Sequence, residues 1–168
     1  MTTILGIDPG TKFMGWGVIR EKIGADSAEV IAYGVFKANP KLTLSARLKI
    51  IFADLEKVIK SYRPDEMAIE EPFIAENPRI ALMAGRAQGI ALLAAGRSDI
   101  PAFQYTPALI RQRVTNFGGS DKVQVQEAIK MQLNLAERPE PADASDALAV
   151  ALCHLQESHL RKLVSSAV

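Results

Sequence analysis

The chain has a single cysteine, Cys153, so no disulfide can close within it. No apolar run reaches the 18 or so residues that would span a bilayer, because Arg86 and Gln88 interrupt the alanine-rich stretch over 80–95. The Met-Thr-Thr start has neither the basic lead nor the apolar run of a secretory signal. These absences predict a cytoplasmic protein with no membrane partner. Low-complexity tracts, internal repeats and a linker are also missing, which predicts one domain over 1–168. An excess of charge of either sign is lacking too, since 20 Lys and Arg stand against 19 Asp and Glu.

That balance hides an uneven distribution. Residues 76–130 hold seven basic and four acidic side chains, whereas residues 131–168 hold three and five. The basic middle is the kind of segment that follows a polyanion. The 48% apolar content and 9 prolines describe a globular chain with a full core.

Periodicity and punctuation predict the elements. Apolar and β-branched runs bounded by Gly and Pro give strands over 3–8, 13–20, 28–38, 65–70 and 100–105. Apolar spacings of three and four predict a helix over 43–62, with Leu44, Leu48, Ile51, Leu55, Val58 and Ile59 inward and the charges opposite. Further helices are expected over 79–97, 107–115, 121–133 and 142–163, the fourth of these five capped by Ser120 or Asp121. The order βββαβαβααα predicts a mixed sheet, hairpins first and crossover strands after, flanked by helices.

Four acids fall at telling places. Asp8 ends the first strand and Glu70 the fourth, and ligands of open α/β sheets bind beyond such ends. Asp143 and Asp146 are three residues apart in the first turn of the last helix, so they share a face. Singly, each has an ordinary explanation: an Asp before Pro-Gly is turn chemistry, and an Asp at a helix start is a cap. Together they form an all-oxygen cluster suited to Mg²⁺ or Mn²⁺ and not to zinc. Two such ions about 3.5–4 Å apart can hold a phosphodiester and activate a water. His154 lies eight residues beyond Asp146, about 12 Å along a helix, and reads as structural.

The segments GIDPGTKFMGWGVI, RLKIIF, PDEMAIEEPF, NPRIALMAGRAQGIALLAA, RQRVTNFGGSDKVQVQ and PADASDALAVALCH occur in this order over nearly the whole chain. In this the sequence resembles the RuvC family of crossover junction endonucleases, Holliday junction resolvases of the ribonuclease H-like superfamily. The resemblance implies an α/β ribonuclease H-like fold with a five-stranded mixed sheet. It also implies a homodimer that binds four-way junction DNA and nicks two strands of like polarity with two Mg²⁺ per site, with RuvA and RuvB as branch-migration partners. Asp8, Glu70, Asp143 and Asp146 match the family's catalytic, metal-binding acids. Phe73 matches an aromatic near the unpaired junction centre, and Arg111 and Lys122 match basic DNA contacts. The helix with Ala81, Ala84, Gly85 and Ala91 matches the dimer contact.

Departures from the family pattern are Glu71 and Pro72 beside Glu70, Arg86 and Gln88 in reversed order, Asn116 for a glycine, and Arg111 for a lysine. None removes an acid. A sugar-kinase or actin type of ATPase shares Asp-x-Gly-Thr at Asp8–Thr11, but it needs two lobes. The YqgF type of nuclease-like protein shares the opening but not the long small-residue helix. A junction-binding module without catalysis would have no use for four acids that repel phosphate.

Overall fold

The computed structural model describes residues 1–22, 27–73 and 77–166. Five strands form one sheet, β1 (Thr3–Asp8), β2 (Phe13–Glu21), β3 (Ala28–Lys37), β4 (Glu66–Glu70) and β5 (Ala102–Tyr105), in the order β3-β2-β1-β4-β5. The first three pair antiparallel and β4 and β5 join parallel, as the sequence predicts. Five helices cover the sheet: α1 (Leu44–Tyr62), α2 (Pro78–Arg97), α3 (Pro107–Thr115), α4 (Lys122–Gln132) and α5 (Ala142–Ser166). Part of the loop expected between β4 and α2 lies outside the described residues.

Strand alternation divides the core into two layers. Leu5, Ile7, Met67 and Ile69 point to α1 and α2, where Ile51, Leu55, Ala87, Ala91 and Ala94 receive them. Ile4 and Ala68 point the other way, to α3, α4 and α5. Asp8 and Glu70 keep the phase of Ile4 and Ala68, so both carboxylates rise on the α5 side. Glycines let α5 sit directly on the strands. A Cβ on Gly6 would collide with the Ala147 carbonyl, and one on Gly15 with the Asp143 carbonyl. The sheet backbone thereby fixes the first turn of α5 against the end of β1.

Two details differ from the sequence expectations, and a third settles an alternative they left open. The sixfold apolar stripe on α1 predicts every charge outward, yet Arg47 occupies an inward position one turn before Ile51, while Leu44 and Leu48 are only half-buried. Its long apolar stem lets it pack where a Leu is expected. β5 begins at Ala102, not 100, since Pro101 has no N–H to give to the ladder. Asp121, not Ser120, caps α4: its carboxylate accepts from the Gln124 N–H at 2.8 Å and the Gln124 side chain returns to the Asp121 N–H at 2.9 Å. Among the described residues no helix is long and apolar enough to cross a membrane.

Candidate active site

The parallel register pairs Ile7 with Ile69, and one residue further it sets Asp8 beside Glu70. Adjacent strands lie about 4.8 Å apart. Asp143 in the first turn of α5 and Asp146 just after it approach from that helix, so all four acids predicted from the sequence meet at one end of the sheet. Their electrostatics show the crowding. Burial, then the charges of Glu70, Asp146 and Asp143, push the Asp8 carboxyl well above the ordinary range. Glu70 is pushed up to about 7 by burial and by Asp146, against the opposing pull of Arg111 and Lys122. Burial also raises Asp146, although Lys122 holds it down.

Lys122 Nζ donates to Asp146 Oδ2 at 2.8 Å. Its own pKa is raised: desolvation works against its charge, but the hydrogen bond to Asp146 and the nearby acids outweigh that. Arg111 lines the same cleft, of about 270 Å³, with Glu70, Ser120, Lys122 and Asp146, and its Nε donates to the Pro107 carbonyl at 3.2 Å. A second cleft of about 620 Å³ opens on the other side, where Asp8 and Asp143 are lined by Lys12, Arg47 and Arg79. The acids thus form a divide between two clefts with cations on both flanks. Glu71 is not among the charges that shift the cluster.

The donor set fits a hard divalent cation: it is all oxygen, and mutual repulsion keeps its acids ready to exchange protons for metal. Among the described residues no three Asp, Glu, His or Cys side chains are already drawn into a closed ligand set. His154 is no part of the cluster. It is fully buried, with Nε2–H donating at 2.7 Å to Oε2 of Glu66, at the opposite end of β4, and Nδ1 accepting at 2.6 Å from the hydroxyl of Tyr105, whose backbone pairs with Glu70.

The other predicted residues are distributed unevenly. Phe73 is 55% exposed on the loop after Glu70 and plugs no core. In α2, Ala84 and Gly85 are half-buried, but Ala81 and Ala91 are buried within the fold, Ala91 against this chain's own sheet. The solvent face of α2 carries instead Leu82, Gly89 and Leu93. Two features had escaped the sequence reading. Arg47 enters the Asp8 cleft, where inward helical spacing gave a signal masked by its charge. Phe117 is 65% exposed on the α3–α4 loop, its backbone held by Thr115 and Ser120.

The family model for the crossover junction endodeoxyribonuclease RuvC matches residues 4–154. The chain belongs to the RuvC family. A crossover junction endodeoxyribonuclease RuvC of Desulforamulus reducens is 49% identical over 155 residues, covering 92% of this chain and 94% of its own. The structure of Thermus thermophilus RuvC in complex with Holliday junction substrate superposes with a TM-score of 0.89 at 32% identity, covering 95% of this chain and 96% of that one. The yeast mitochondrial Holliday junction resolvase Ydc2 shares the fold, with a TM-score of 0.67 at 15% identity over 98% of this chain and 84% of its own. The five-stranded ribonuclease H-like sheet expected from the RuvC resemblance is therefore the fold observed.

Proposed function

We propose that this chain is a divalent-metal-dependent endonuclease that resolves Holliday junctions by paired phosphodiester hydrolysis on strands of like polarity, acting in recombination and repair. The observation that carries the reading is the convergence of Asp8, Glu70, Asp143 and Asp146, and the raised proton affinities of Asp8, Glu70 and Asp146 mark a site built for added positive charge. These four carboxylates would hold two Mg²⁺ ions, with Mn²⁺ able to substitute. Bound there, the metals would supply charge neutralisation at the phosphate and an acidified water for in-line attack. The protein's part is placement. Strand ends fix Asp8 and Glu70, and the glycine contacts of α5 fix Asp143 and Asp146, so little reorganisation is left for the moment of reaction.

Arg111 and Lys122 flank the acids and would contact backbone phosphates, while exposed Phe73 offers a ring on which a base at the open junction centre can stack. The described residues of one chain hold one such cluster, and two symmetric cuts call for two. A two-fold homodimer meets the approximate two-fold symmetry of a four-way junction. Its contact would use the outer face of α2, where Leu82 and Leu93 are exposed and nothing lies near a Cβ built on Gly89. Ala84 and Gly85 would border that contact, with Ala81 and Ala91 shaping the helix from within. RuvA and RuvB would be the partners that present the junction.

The test is metal-dependent nicking of a synthetic four-way junction by the wild type and by Asp8→Asn. Paired nicks on opposed strands that vanish in the variant, with junction binding intact, are expected. Full nicking by Asp8→Asn would sink the reading, and ATP turnover in place of nicking would return the sugar-kinase alternative.

A further inference from the structure

Arg47 is out of place by ordinary packing rules. It sits on the inward stripe of α1 with Ile51, Leu55, Val58 and Ile59, and its residue exposure is only 7%. Its guanidinium is charged at any working pH. Buried charges are normally paired, because desolvation is costly and a lone buried ion has nothing to offset it. Yet, among the described residues, Arg47 Nε is buried without a hydrogen-bond partner and the guanidinium has no ion pair. The side chain lines the cleft that holds Asp8 and Asp143, and the exposed Lys12 and Arg79 line it too.

We propose that Arg47, with Lys12 and Arg79, forms a binding site for a DNA backbone phosphate flanking the scissile one on the Asp8–Asp143 side. The proposal rests on the nuclease reading above and extends it to residues that reading leaves idle. A guanidinium suits this ligand because its planar fork can donate two parallel hydrogen bonds to phosphate oxygens. The placement follows from the divide between the clefts. A strand lying across the four acids sends its neighbouring phosphates into both flanks, and Arg111 and Lys122 already line the other one. The N-terminus of α2 adds nothing here, since the Asn77 side chain already accepts from the Arg79 and Ile80 N–H groups at 3.1 and 3.3 Å.

Arg47→Met separates this assignment from a packing role, because it keeps the stem volume and removes the charge. Free of DNA, the variant is expected to melt at or above the wild-type temperature, since a buried Nε–H without a hydrogen-bond partner is removed. On a four-way junction in Ca²⁺, its affinity should fall about 10- to 100-fold. The slope of log affinity against log salt should shrink by about 0.9, the signature of one lost phosphate contact. Arg47→Lys should keep that slope. As a check independent of mutant folding, single methylphosphonates placed along the cut strand should reveal a flanking position whose neutralisation weakens wild-type binding.

Unchanged affinity and slope in a folded Arg47→Met protein would overturn the site and leave the nuclease intact. A lower melting temperature with an unchanged slope would likewise make Arg47 a packing residue. A methylphosphonate scan of the cut strand without any flanking effect would overturn the site by itself. If the wild type failed to bind the junction at all, the function proposed above would fall, and this site with it.

Discussion

The two ends of β4 hold buried titratable groups of opposite temperament. At the Glu66 end the groups satisfy one another. Neutral His154 donates to Glu66 and accepts from Tyr105, whose hydroxyl oxygen accepts from Arg161 Nη2 at 3.0 Å, and Arg161 lies 5.0 Å over the Phe103 ring. At the Glu70 end, four residues on, carboxylates face carboxylates, and half-exposed Lys122 answers only one of them with a hydrogen bond. Burial depresses the His154 pKa and pushes Tyr105 up to about 12, so both stay neutral in a closed network. Burial and like charge instead drive Asp8, Glu70 and Asp146 upward, and the opposing pull of Lys122 and Arg111 does not cancel the rise. Buried polarity marks structure where it is satisfied, and it marks a ligand site where it is not.

If that contrast holds, mutations at the two ends have opposite outcomes. Asp8→Asn should lower junction cleavage by at least about 100-fold, measured as single-turnover nicking. The same variant should melt higher than the wild type without metal, because a repelling charge is gone. A drop in melting temperature would break the comparison at its active end.

His154→Leu should do the reverse. It leaves Glu66 and Tyr105 without their buried partner, at a cost of about 2–4 kcal/mol. For a chain of this length that lowers the melting temperature by roughly 4–16 °C. Nicking per folded molecule should be unchanged at 25 °C. If activity fell while the melting temperature held, His154 would belong with the acids after all.

The acid end was legible in the sequence and the network end only partly so, for a physical reason. Asp8, Glu70, Asp143 and Asp146 announce themselves because strand ends and helix starts fix where a short side chain points. His154 could be set aside by helix rise alone, but Glu66 and Tyr105 are 88 and 49 residues from it in sequence, so only the fold brings them together. Arg47 was invisible because apolar periodicity cannot see a charged residue with an apolar stem. Ala81, Ala84, Gly85 and Ala91 show a different limit. Small residues surround α2 on every side, so spacing could not choose the face that Ala91 turns to the sheet and the face that carries Leu82 and Leu93 outward.

Acidity offers a finer test. A raised carboxyl pKa in the folded state adds stability that is fully present below the unfolded value and lost as pH rises through the folded one. For Glu70 the window runs from 4.5 to about 7. A depressed histidine pKa has the opposite sign: the His154 contribution is present above 6.5 and lost as pH falls toward the lowered folded value. Urea titrations of metal-free protein between pH 5 and 8 should therefore show a decline on the alkaline side that Glu70→Gln flattens, by about 1–3 kcal/mol at pH 8. His154→Leu should leave that decline in place. A decline that survives Glu70→Gln undiminished would mean that another group carries it.

The smallest effect concerns Lys122, among the described residues the one cation hydrogen-bonded inside the acid cluster. Its side chain is more than half exposed, so its pair with Asp146 is screened by water, and Lys122→Met should change unfolding free energy by less than about 1 kcal/mol. Loss of a stabilising pair is further offset, since the hydrogen bond that holds Asp146 down disappears and the acid takes up a proton more readily. Junction binding should still register the change. If Lys122 swings from Asp146 to a phosphate when DNA arrives, the salt slope of affinity falls by about 0.9 in the variant. If it stays on Asp146, the slope is unchanged, and the lysine belongs with His154 among the groups whose partners are internal. Fluorescence anisotropy of labelled junctions across 50–200 mM salt separates the two, because stability is nearly constant and only the count of phosphate contacts differs.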